Sequence, residues 1–457
     1  MFRRTQPLVV KPILLYSKYS RVEYSSWRNW GDGLNVDDEV SRINGELSDL
    51  AKSIGFPIVI KPTSAVSSMD DVYAVLSDVD SSDVVVLYAA GGWIEHIRAI
   101  ASRRPTVVFL RHRSGHYYLW HEIIHARFIR MNVSDEPAQP WLSYDDVVVD
   151  DYGELAVKLR AFYALKNIEG FRIVSIGGVG GWEVGGKAAE LARDIWGLDI
   201  VTVPYSELEG EVKAIESSPE AMESVKRAMN DYLSSQGITV KVPLTNVERA
   251  FILREALLRI MNRYNAIAIT SPGCMNTIIK IAKTPPCLSY SVLNDDGYAG
   301  ICEADFVTIP AYLLLRLIAN KPVFFGNPTY PHHGIVLMAH CTAPRRMSGT
   351  GYEPAEIVTH YESDEGAAIR VIMSKGQLVT VVNPAFNGRQ WVIFRGTIVN
   401  TPTYPACRTQ VEIEVKGDWR RLMRELRGFH WVLAYGDYVK ELEYALRKRG
   451  LEPIVVE

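Results

Sequence analysis

The sequence predicts a mixed α/β protein with two Rossmann-like parallel-sheet domains followed by a β-rich, barrel-like C-terminal domain. Three observations predict it. Up to about residue 140, short β-branched runs alternate with longer amphipathic stretches, and a second unit with the same alternation begins near residue 145. After Pro322 the strand-like runs follow one another closely, separated by turns such as S-K-G, F-N-G-R and V-K-G. Alternation of strand and helix implies a parallel sheet covered on both faces, whereas closely spaced strands with glycine turns imply an antiparallel sheet or small barrel. With 457 residues, the chain is too long for one ordinary core. The expected boundaries are 1–145, 146–321 and 322–457.

In the first domain, Val9 to Ser17, Pro57 to Ile60, Asp83 to Ala89 and Thr106 to Arg111 have the composition of buried strands. Val36 to Ile54 and Ile94 to Arg103 have helical periodicity. The apolar run after M-F-R-R is expected to be the first strand and not a signal peptide, because Lys11 and Pro12 interrupt it. Y-A-A-G-G-W-I-E-H-I follows a strand and opens a helix, where open α/β sheets carry ligand-binding loops. S-D-E-P-A-Q-P-W has the proline and acid content of a linker. The second domain is expected to place strands at Val147 to Val149, Phe171 to Ile176, Leu198 to Val203, Ala266 to Thr270 and Cys287 to Val292. The third is expected to place them at Ile335 to His340, Glu356 to Tyr361, Ala368 to Met373, Gln377 to Val382, Trp391 to Asn400 and Gln410 to Val415. A helix-strand-helix-strand segment, with His430 at its first strand, closes the chain.

Composition narrows the functional classes. Lys and Arg total 50 against 53 Asp and Glu, a net charge of -3 without the basic excess that tracks along phosphates, so nucleic acid is not expected as a partner. No apolar window approaches bilayer-spanning length, so no membrane partner is expected. Five cysteines in a chain of this size do not form a disulfide framework, and a reducing cytoplasmic setting is expected.

The chemistry concentrates between Cys302 and Cys341 and again near the C-terminus. C-E-A-D-F precedes an apolar helix-like run, then F-F-G-N, then G-I-V-L-M-A-H-C-T, with F-H-W further on. Glu303, Asn327, His340 and His430 therefore lie at the ends of regular elements, where side chains can be aimed into a cleft. These segments resemble the L-fucose and L-arabinose isomerase family, whose domain order matches the predicted one. The resemblance implies a divalent cation, usually manganese with cobalt or magnesium as alternatives, held by Glu303, Asn327, His340 and His430. It also implies an aldose-ketose isomerisation through an enediol, with Glu303 both ligand and acid/base group. A homo-oligomer, trimeric or hexameric, is implied as well, because in that family a neighbouring first domain closes the site.

Asn327 departs from the family pattern, which has a carboxylate there. An amide oxygen ligates a hard cation but takes no proton at neutral pH. Asp305 is a candidate replacement acid/base group, two residues from Glu303; ordered water or a neighbouring subunit is the alternative. A noncatalytic sugar-binding relative, or a metal-dependent carbohydrate enzyme of another reaction type, is the competing expectation. Gly181, Trp182, Tyr330 and Arg345 are candidate substrate contacts, Arg345 because its guanidinium presents a fork of donors.

Two other motifs compete. His121-Glu122-Ile123-Ile124-His125 has the H-E-x-x-H pattern of zinc proteases, but its nearest downstream acids are the loop pair Asp135 and Glu136. G-W-E-V-G-G-K at 181–187 has P-loop spacing, but Ala188 stands where a magnesium-binding hydroxyl is needed, so the segment is expected to be a glycine turn that can meet an anion or sugar hydroxyls.

Overall fold

A computed structural model describes residues 3–18, 34–131 and 139–457. By compactness the chain divides into Gln6–Lys166 and a larger unit of Asn167–Glu457 with the residues up to Thr5. The second parallel sheet and the barrel thus share one compact unit. Most of linker segment 134–141 and both Asp135 and Glu136 lie outside the described residues.

The first unit contains β1 (Leu8–Leu15), β2 (Ile58–Ile60), β3 (Ser64–Val66), β4 (Val84–Ala89), β5 (Thr106–Leu110) and β6 (Val147–Val149). Their order is β2-β1-β4-β5-β6, with β3 also on β1, and every pairing is parallel. β4 and β5 are buried at every position, as strands covered on both faces must be. Lys11, which interrupts the apolar run of β1, is buried and satisfied by Pro62 O, Ser64 Oγ and Asp78.

The larger unit opens with β7 (Arg172–Ile176), β8 (Asp199–Val203), the short β9 (Ile238–Val240), β10 (Ala268–Ser271) and β11 (Ala299–Cys302). A four-stranded, all-parallel sheet runs β11-β10-β7-β8. Cys287–Val292, expected as a strand, is instead the start of helix Cys287–Asp295. Its residues are buried all round, so the sequence lacks the polar face that would reveal a 3.6-residue period. Pro286 at its N-cap and the Asn294 side chain, which bonds both the N–H and the C=O of Gly300, turn the chain into β11.

The remaining strands are β12 (Phe324–Pro328), β13 (Ile335–His340), β14 (Ala355–Val358), β15 (Ala368–Val371), β16 (Leu378–Pro384), β17 (Gln390–Asn400), β18 (Thr409–Lys416), β19 (Trp431–Tyr435) and β20 (Glu452–Val456). Six of them close a ring, β16-β19-β12-β13-β18-β17 and back to β16, with every pairing antiparallel. β20 adds to β17 in parallel, and β15-β14-β9 form a separate small sheet. The expected barrel is therefore present, with β12 as a strand that the short, glycine-containing F-F-G-N run did not announce.

Candidate functional site

The barrel register lines up the candidate ligands. Asn327 pairs with Ala339 and Gly326 with Trp431, so Asn327, His340 one residue after Ala339, and His430 just before Trp431 lie within one residue of a common level on three neighbouring strands. The fourth residue, Glu303, follows β11 at the carboxyl end of the parallel sheet, the end at which open α/β sheets bind ligands. It is held in the left-handed region at φ 63°, and Ala304 follows at φ 48°. Two consecutive non-glycine residues there cost roughly 1–3 kcal/mol each. The Ala304 N–H donating to Thr270 Oγ1 at 2.9 Å and the Phe306 N–H donating to Gly180 O at 3.2 Å hold the turn.

The turn brings Glu303 Oε1 to 3.6 Å from His340 Nε2 and Oε2 to 3.4 Å from His430 Nε2. Both imidazoles are oriented from behind. His340 Nδ1 is 3.1 Å from Thr342 Oγ1, and His430 Nδ1 is 2.8 Å from Asp305 Oδ2. The Phe325 ring packs against both, with centroids 5.4 Å from His340 and 4.3 Å from His430. His430 Nε2 is buried and lacks hydrogen-bond geometry to any partner among the described residues. Burial opposes ionisation of Glu303, but the two histidines outweigh it and hold its carboxyl well below the usual range. Burial likewise opposes charge on His430, yet Asp305 and Glu303 together raise its pKa.

Glu303 and His340 line a cavity of about 620 Å³ together with Gly181, Trp182, Glu183, Asn327, His360, Glu362 and Phe429, whereas His430 is fully buried and is not part of the lining. Trp182 and Phe429 stack at the rim with centroids 3.9 Å apart. Gly181 is required by close approach, since a Cβ there would lie 2.4 Å from Ala188 Cβ and 3.1 Å from Gly185 O. The Glu303 carboxylate and the two imidazoles, with Asn327 also lining the cavity, are a donor set suited to a divalent cation.

Three sequence candidates stand elsewhere. Asp305 is buried off the cavity wall, where it accepts from His430 Nδ1, Thr308 Oγ1 at 2.9 Å and Val307 N–H at 3.2 Å, so it fits an orienting role and not a proton shuttle. Arg345 is fully buried and donates to Glu353 O, Ser235 Oγ and Gln236 O, a structural use of its fork. Tyr330 is 62% exposed on the β12–β13 turn and does not line the cavity. In the first unit, the H-E-I-I-H segment breaks from helix Leu119–Ile124 into a π-helical turn at His125. His121 stacks on His112 and engages Tyr117, and no third metal ligand converges on it among the described residues. The 181–187 segment is a glycine-rich turn leading into helix Lys187–Trp196, with Ala188 buried.

Sequence reasoning missed Glu183, Glu362 and His360 on the cavity wall, and also its thiols, since all five cysteines line it. Phe429 had a signal in its adjacency to His430; Glu362 had none, because it lies in a loop that only the β14–β15 turn brings to the cavity. Compared with known protein families and with curated proteins, the chain finds no match in either.

Proposed function

We propose that this cavity is the site of a metal-dependent aldose-ketose isomerase of the L-fucose and L-arabinose isomerase type. It would act in the cytoplasm on a free aldose or ketose, deoxy sugars included, as a homo-oligomer. The observation that carries the reading is the approach of both imidazoles to the Glu303 carboxylate, with Glu303 and His340 on the cavity wall and His430 Nε2 buried outside hydrogen-bond geometry. A buried polar atom without a partner costs about 1–3 kcal/mol, a cost that a ligated cation removes. Glu303, His340 and His430, with the Asn327 amide oxygen, would hold manganese, or cobalt or magnesium in its place. When bound, such a cation supplies electrophilic stabilisation of the charge that develops on adjacent sugar oxygens.

The chain's own residues supply the rest. Glu303 is kept ionised, as a ligand to a cation must be, while Glu183 and Glu362 are the other carboxylates on the wall from which an acid/base partner can come. The stacked Trp182 and Phe429 offer apolar faces to the C–H side of a sugar, and the cavity is of small-ligand size. The parallel order β2-β1-β4-β5-β6 and the four-stranded parallel sheet support a Rossmann-like assignment for both α/β parts.

A noncatalytic sugar-binding relative is the second reading, favoured by Asn327, whose amide cannot shuttle a proton. Incubation of aldoses and ketoses with the manganese-loaded protein in deuterated water separates the two. Isomerisation with deuterium entering at C1 or C2, abolished in Glu303→Gln, is the expected result. Tight metal-dependent binding of a sugar without any C–H exchange would establish the second reading and remove the first.

A further inference from the structure

We propose that the same cavity carries a second, soft-metal site, formed by Cys287, Cys341, Cys407 and His360, that binds zinc or a similar thiophilic cation. The proposal does not depend on the isomerase reading. The chain has only five cysteines in 457 residues, and all five line this one cavity. Two of them form a group with a histidine, and a third packs beside it. The Sγ atoms of Cys287 and Cys341 and a ring nitrogen of His360 lie within 4.8 Å of one another, all three residues being buried. Cys407 packs against Cys287 and Cys341, with its thiol meeting that of Cys341.

These residues come from four separate segments. Cys287 starts helix Cys287–Asp295, Cys341 follows β13, His360 lies just beyond β14, and Cys407 precedes β18. Random burial of thiols does not gather four such donors, because each segment is fixed by its own strand or helix. Three sulfurs and one imidazole nitrogen are one of the donor sets of four-coordinate zinc sites, in which bonds of about 2.0–2.3 Å set the donors roughly 3.3–3.8 Å apart. Cys287, Cys341 and His360 reach this by closing up by about 1–1.5 Å at most, and the Cys407 side chain must turn in to join them. The surroundings are those of ligating groups. Ser363 Oγ engages His360 Nδ1 at 3.0 Å, leaving Nε2 as the free donor, and the Arg408 N–H donates to Cys341 Sγ at 3.4 Å. A disulfide would use two of the three thiols and leave the third with His360 unexplained.

Thiolates select soft or borderline cations, whereas Glu303 and Asn327 present oxygen donors. The two sites therefore differ in preference while sharing a strand end, since His340 and Cys341 are consecutive. Four protein donors leave no open position, which makes the soft site structural. It ties helix Cys287–Asp295 and the loops after β14 and before β18 to the barrel and so frames the cavity.

Cobalt reports directly on thiolate ligation. The full chain, reduced and stripped by chelation, is titrated with cobalt(II), and near-ultraviolet thiolate-to-cobalt charge transfer is recorded with the metal count by elemental analysis. The expected result is a charge-transfer band in the wild-type protein, retained in Glu303→Gln and Cys302→Ser, and displaced by one equivalent of zinc. Cys407→Ala and Cys287→Ala should each lose most of the band, with metal content falling by one equivalent. Cobalt bound without the band overturns the proposal, and this outcome needs no variant to fold. So does a band that survives in both cysteine variants but disappears in Cys302→Ser, because the Cys302 Sγ lies within 4.8 Å of a Glu303 carboxylate oxygen and a His340 ring nitrogen and the band would then belong to that site. A Cys341–Cys407 disulfide, found by mass after alkylation of the protein as isolated, would also overturn it.

Discussion

Replacing Asp305 with asparagine tests whether His430 is a ligand positioned from behind. The carboxylate accepts three hydrogen bonds, from His430 Nδ1 and Thr308 Oγ1 at Oδ2 and from the Val307 N–H at Oδ1. An amide of the same shape can serve only one side. With its oxygen toward His430, its NH2 opposes the Val307 N–H. Reversed, its NH2 faces His430 Nδ1, which then becomes the acceptor and carries the ring proton on Nε2, pointed at the cation position. Either arrangement opposes one buried hydrogen bond, at roughly 1–3 kcal/mol. Loss of such an orienting partner typically lowers metal affinity about 10–100-fold, or about 1.4–2.7 kcal/mol. Manganese titration followed by the paramagnetic resonance of the free ion, with thermal midpoints as a fold control, measures this. A manganese Kd in Asp305→Asn within twofold of wild type would refute the reasoning and leave Asp305 as only an anchor of the turn through Val307 and Thr308.

Other outcomes follow from the same geometry. Glu303→Gln and His430→Ala should each release stoichiometric manganese from a folded protein, read by elemental analysis, while His121→Ala should leave the metal content unchanged. Gly181→Ala should cost about 1–3 kcal/mol in denaturant unfolding, because the new Cβ meets Ala188 and the Gly185 carbonyl. Asp295 is buried with Oδ2 unpartnered among the described residues, and burial pushes its pKa up to about 7. Between the ordinary carboxylate range and pH 7, only the unfolded chain gives up that proton, so stability falls as pH rises and the full penalty, of order 4 kcal/mol, is present above 7. Asp295→Asn, which keeps an acceptor for the Arg346 N–H, should therefore raise the Tm at pH 8 and leave it nearly unchanged at pH 4.

Much of the architecture was legible because periodicity and punctuation agreed. Val36–Ser53 has a charged face and an Asn35 cap, and the strands of the barrel are separated by glycine turns. Legibility failed where burial erased the pattern, as in Cys287–Asp295, or where a strand was short and interrupted, as in Phe324–Pro328. The four proposed ligands were visible as residues at element ends. Their mutual distances were not, since these depend on a barrel register that no local signal encodes. Asp305 was visible as an acid beside Glu303, but the direction of its side chain is set by the two left-handed residues before it. The thiol group escaped notice because its members are up to 120 positions apart.

The position of β19 in the ring has a consequence for how the protein is made. It sits between β12 and β16, so neither neighbour has its full complement of backbone partners until Trp431–Tyr435 has left the ribosome. At about 5–20 residues per second, β12 waits roughly 5–20 s for it. During that interval the nascent chain presents apolar strand edges that invite pairing with other chains. Conditions that slow translation of the last hundred or so codons should therefore increase aggregation during synthesis without altering the stability of the finished protein, and a holdase bound to the growing chain should suppress the loss.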